Sequence, residues 1–124
     1  MALRLREMAK AQSVLEPVIA LLEKIMAQAG EVPDLSLALA QLYGDWAAAD
    51  MLAGQPDAAL THLHKARERR PDVAEIALRL SALQAERGDR RGAMQTIETF
   101  LAVAHDAAEI EQARAQLAKI KAGG

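Results

Sequence analysis

Apolar residues recur along most of the chain at steps of three and four, the spacing that gathers them on one face of an α-helix. Leu15, Val18, Ile19, Leu22, Ile25 and Met26 form a wide apolar face near the N-terminus. Near the C-terminus Ile110, Ala113, Leu117 and Ile120 form one stripe, with Glu109, Glu111, Gln112, Lys119 and Lys121 around it. No stretch alternates apolar and polar residues with the two-residue period of a strand. Breaks fall at Gly30-Glu31-Val32-Pro33, at Gly54 to Pro56, at Pro71-Asp72 and at Gly88-Asp89. The pattern predicts helices over 34–53, 56–69, 73–87, 90–104 and 107–121. Ahead of them it predicts a helix over 14–29 with a shorter one before it, or one kinked helix. Ser13-x-x-Glu16 has the form of a capping box, and Pro17 is tolerable in a first turn.

The breaks are periodic. Gly54 and Gly88 are 34 residues apart, as are Ala59 and Ala93, and Leu63 and Ile97. Gly54 can take a positive φ and close a helix, and Pro56 suits the first turn of the next. Ala59 and Ala66 let two helices approach closely. Pro71 stops a helix, and Asp72 and Asp89 are candidate N-caps for the two that follow.

A 34-residue period with these residues resembles the tetratricopeptide repeat family. Its pattern has a Gly in the turn between helix A and helix B. An Ala, a large apolar residue, a second Ala and a closing Pro follow on helix B. The first repeat, about 40–73, supplies Gly54, Ala59, Leu63, Ala66 and Pro71, with Tyr43 and Trp46 at the large positions of helix A. The second, about 74–107, supplies Leu80, Gly88, Ala93 and Ile97. It departs at Phe100, which replaces the second Ala, and at His105, which stands where Pro is usual. Ala47 and Ser81 replace the small helix A residue, and Asp50 and Gln84 replace an aromatic. The resemblance implies an all-α fold, an α-α superhelix of helical hairpins with flanking N- and C-terminal helices. The expected organisation is an N-terminal helical segment over 1–33, two repeats over 34–107 and a capping helix over 108–124.

Composition agrees with that class. Hydrophobic residues are 52% of the chain but aromatics only 2%, so the apolar content is mostly the helix-favouring Ala and Leu. The net charge of −2, with both signs interspersed, gives no field to gather nucleic acid or a membrane. The chain has no cysteine, which removes disulfides and thiolate metal sites. No apolar run reaches membrane-spanning length, so the chain is expected to be soluble and cytoplasmic.

Candidate chemistry is sparse. On a helix His62 and His64 point about 200° apart and cannot share a metal. His64 and Glu68, four apart, read as a surface pair, and Asp45 and Asp50 as capping or solvated carboxylates. No phosphate loop or nucleophile motif is present. The reading is therefore no enzyme and no cofactor. Arg67, Arg69 and Arg70, and Arg87, Arg90 and Arg91, sit at helix ends where cations complement the macrodipole. Glu68, Glu86 and Asp89 interrupt them, and no aromatics interleave for base stacking. Tyr43 and Trp46 read as inter-helix core.

The resemblance implies a concave face lined by helix A residues. The expected partner-binding residues are Met51, Leu52, Glu75, Leu78, Arg79 and Glu86. Arg79 is the one groove residue that matches a clamp for a C-terminal carboxylate, so a helical or extended polypeptide is the better fit. The expected function is a scaffold or adaptor for protein–protein interaction. The alternative is an accessory subunit contacting nucleic acid through the arginine clusters. A homodimer formed through the N-terminal helix is a further partner this reading admits.

Overall fold

The computed structural model describes residues 2–30 and 32–123, with side chains for Lys10 and for residues 12–30 and 32–123. Every regular element among them is an α-helix: α1 (Ala2–Ala29), α2 (Pro33–Leu52), α3 (Pro56–Arg69), α4 (Ala74–Glu86), α5 (Arg90–Val103) and α6 (Ala107–Gly123). The five helices predicted from residue 34 onward are present, within two residues at each end. Ahead of them the single-helix alternative holds, and the helix runs through Pro17. The capping box does not form, because Ser13 lies inside that helix and its hydroxyl donates to the Lys10 carbonyl.

The helices fall into two compact units, Met1–Arg70 and Pro71–Gly124. In the first unit α2 packs against both α1 and α3. Ile19 and Met26 of α1, Leu39, Ala40, Tyr43 and Ala47 of α2, and Ala59, Leu63 and Ala66 of α3 are buried. In the second unit α5 packs against α4 and α6. Ala74, Ala77, Ala93, Ile97, Phe100, Ala113 and Ile120 form one apolar cluster there. Burying a side chain such as Phe100 stabilises the fold by roughly 1.5–3 kcal/mol. Phe100 fills, in α5, the position that Ala66 occupies in α3.

The same turn closes the first helix of each hairpin. At the end of α2, Gly54 (φ +74°) donates to the Met51 carbonyl, and Gln55 N–H to the Asp50 carbonyl. At the end of α4, Gly88 (φ +88°) donates to the Ala85 carbonyl, and Asp89 N–H to the Gln84 carbonyl. Each partner is displaced by 34 residues from its counterpart. A left-handed residue at this point satisfies helix-end carbonyls that would otherwise be orphaned, and glycine adopts it without a Cβ clash.

Helix starts differ in device. Pro33 and Pro56 occupy the first turns of α2 and α3, where a missing N–H costs nothing. Asp89 caps α5 by accepting from Gly92 N–H at 2.9 Å. A Cβ on Gly92 would lie 2.1 Å from the Asp89 carboxylate, so the cap and the glycine go together. Asp106 caps α6 in the same way, accepting from Glu109 N–H at 2.9 Å. At α4 the N-cap position falls on Val73, one residue beyond the expected Asp72.

Candidate protein-binding site

Each hairpin places one polar pair between its two helices. In the first, Asp50 near the end of α2 is only 1% exposed. A buried carboxylate is costly unless its oxygens are met by donors. His62 of α3 supplies one, with Nδ1 at 2.5 Å from Oδ2, and Gln12 of α1 supplies another, with Nε2 at 2.9 Å from Oδ1. Asp50 thus ties together all three helices of its unit. The expectation of a capping or solvated Asp50 is overturned by this burial. In the second hairpin Gln84 of α4 and Thr96 of α5 occupy the equivalent positions, and the Thr96 hydroxyl meets Gln84 Oε1 at 2.7 Å. The signal was present in the sequence: Asp50/His62 and Gln84/Thr96 share a twelve-residue separation and are 34 apart.

His62 is also a stacking partner. Its ring lies 3.8 Å from that of Trp46, and the Tyr43 ring lies 6.5 Å from Trp46. Lys65 Nζ stands 5.9 Å from the centre of the Tyr43 ring, within cation–π range. Tyr43 is buried and Trp46 half-buried. Burial, then the nearby Glu23 carboxylate, raises the Tyr43 hydroxyl above its ordinary pKa, with Arg69 opposing them.

The arginine clusters are partly consumed inside their own units. Arg69 pairs with Glu23 of α1, and Arg70 donates to the Pro33 carbonyl at 3.3 Å. Arg90 donates to the carbonyls of Ile120 and Lys121 at the end of α6. There the guanidinium satisfies last-turn acceptors and complements the helix dipole. His64, Glu68, His105 and Asp45 are exposed. Among the described residues no three His, Asp or Glu side chains converge as metal ligands. Among them, too, no helix is long and apolar enough to cross a membrane.

The six residues expected to contact a partner divide between the units. Met51 and Leu52 end α2 with exposed side chains, Met51 by 44% and Leu52 by 55%. Glu75 and Arg79 of α4 form an exposed ion pair at 2.6 Å, one turn apart. Leu78 is half-buried and packs on the second unit's apolar cluster. Glu86 lines an open hollow of about 300 Å³ with Ala82, Ala85, Gln116, Lys119, Ile120 and Gly123.

Residues 50–117 match the sequence model of the tetratricopeptide repeat. That is more than half of the chain, and it takes in the two glycine turns, α3, α4, α5 and most of α6. The chain belongs to the tetratricopeptide repeat family, whose repeats generally mediate protein–protein interaction and whose members are typically non-enzymatic scaffolds. No curated protein matches the chain.

Proposed function

We propose that this chain is a scaffold or adaptor whose helical hairpins bind a helical or extended polypeptide. The observation that carries the reading is the family match over 50–117, on hairpins closed by equivalent turns. Two features support it. The buried polar side chains Asp50, Gln84 and Thr96 are satisfied within their own hairpins, Asp50 by half-buried His62 and Gln84 by Thr96, which is what a framework needs. In the first unit Met51 and Leu52 sit exposed at the end of α2, and in the second Glu75, Arg79 and Glu86 sit exposed on α4. Taken unit by unit, an adaptable Met beside an apolar Leu, and a helix face with both charges, each suit the reading of a polypeptide's side chains. The engagement of Arg69, Arg70 and Arg90 with acceptors in their own units favours a polypeptide over nucleic acid.

The test is selection of a random peptide library on the immobilised full chain. Selected peptides are then titrated against the native chain and the Met51→Glu and Arg79→Glu variants. Both residues are exposed, so these changes leave the fold intact. The reading expects enriched peptides whose affinity falls at least tenfold in one variant. Failure to enrich any peptide, or equal affinity for all three chains, contradicts it.

A further inference from the structure

Helix α1 carries two apolar faces, and its own unit covers one of them. Ile19 and Met26 are buried, and Leu15 and Leu22 half-buried. Val14, Val18, Leu21 and Ile25 are exposed, Val14 by 62% and Leu21 by 58%. Single exposed apolar residues are ordinary, but four in a row along one helix mark an interaction surface. The steps between them are four, three and four. That is the alternation of a heptad seam, with Val14 and Leu21 at d and Val18 and Ile25 at a.

We propose that this stripe is the seam of a parallel two-stranded coiled coil with a second copy of the chain. The spacing calls for a helix of the same spacing, and a second α1 supplies it by symmetry, each layer pairing a residue with itself. The side chains choose the strand number. β-branched residues at a with Leu at d favour two parallel helices, and Val18, Leu21 and Ile25 follow that rule. The flanks permit the approach. The charged residues at the positions bordering the seam are Lys10 and Lys24, which in a parallel pair fall opposite Leu15 and Ala29, while Pro17 falls opposite Leu22, so no like charges are set opposite one another. Val14 to Ile25 spans only about 18 Å of helix, which makes the association weak and reversible. It is rescued from being negligible because packing on α2 already forms α1, so little ordering remains to be done on dimerisation. The proposal is independent of which polypeptide the hairpins engage.

Sedimentation equilibrium of the full chain, from micromolar to near-millimolar concentration, tests it. The mass is expected to rise toward twice that of one chain. Leu21→Glu and Val18→Glu, on the exposed face, are expected to stay at the mass of one chain with unchanged far-UV circular dichroism. Ala20→Glu, on a neighbouring exposed position, is expected to dimerise like the native chain. Orientation has its own readout, because the chain has no cysteine. Leu21→Cys should form a chain-to-chain disulfide on oxidation, since a parallel seam sets residue 21 against itself. A native chain that remains monomeric throughout overturns the proposal, as does a dimer that survives Leu21→Glu. A dimer that is lost in Leu21→Glu but does not cross-link through Leu21→Cys overturns the parallel arrangement.

Discussion

Asp50 and His62 meet at 2.5 Å inside the first hairpin, and Gln84 and Thr96, 34 residues on, meet at 2.7 Å inside the second. In both, the backbone carbonyl of the first residue also receives the N–H that follows the turn glycine. One residue therefore serves the turn with its backbone and the facing helix with its side chain. This couples the closing of each hairpin to the docking of its two helices.

Removing Asp50 should be among the costliest polar substitutions in the first unit. Asp50→Ala strands the Gln12 amide and the His62 ring nitrogen, and the expected loss is about 2–4 kcal/mol. His62→Ala leaves the buried carboxylate with one of its two donors gone and also removes the ring stacked on Trp46, so it should cost at least as much. Urea unfolding of the two variants checks both losses. A negligible loss in His62→Ala would show that the pair is incidental.

The turn glycines should tolerate no side chain, for a backbone reason. A Cβ at Gly54 or Gly88 would meet nothing within 4 Å, so crowding is not the obstacle. The positive φ is. Gly54→Ala and Gly88→Ala should each cost about 1–2 kcal/mol, and by similar amounts, because the turns are equivalent. Thermal melts of the two variants are the measurement, and a loss confined to one of them would contradict the equivalence.

Tyr43 gives the fold a dependence on alkaline pH. Burial and Glu23 raise its pKa above 10.0 in the folded chain. The folded state therefore holds the phenolic proton more tightly than the unfolded state does. The stability this contributes is full below pH 10.0 and is lost as pH rises through the folded-state pKa. Tyr43 is the one tyrosine in the chain, so phenolate absorbance reports it alone. The titration midpoint is expected above 10.0, and Tyr43→Phe should flatten the stability profile there. A midpoint at or below 10.0 would contradict the burial argument.

Most of this architecture was legible from spacing alone. Glycine and proline have narrow backbone preferences, so Gly54, Pro56, Pro71 and Gly88 placed the helix ends within two residues. The polar interior was not legible in the same way. Asp50 reads as a surface residue because an isolated carboxylate belongs in water, and its burial depends on donors 38 residues before and 12 residues after it. Asp72 misled for a local reason: it has the chemistry of a cap, but the helix starts beyond Val73. The apolar face predicted on α1 proved to be two, with Val18 and Ile25 exposed and Ile19 and Met26 buried. Composition counts apolar positions but does not say which of them find a partner.

The most direct test of the account transplants the second hairpin's pair into the first. Asp50→Gln and His62→Thr are made singly and together, and the three stabilities are compared with the native chain by urea unfolding. If the hairpins are equivalent units, Gln and Thr complement each other at these positions as Gln84 and Thr96 do. The double variant should then be more stable than the sum of the single losses allows, by about 0.5–3 kcal/mol. Strictly additive losses would mean that the two sites share a spacing and not a structure.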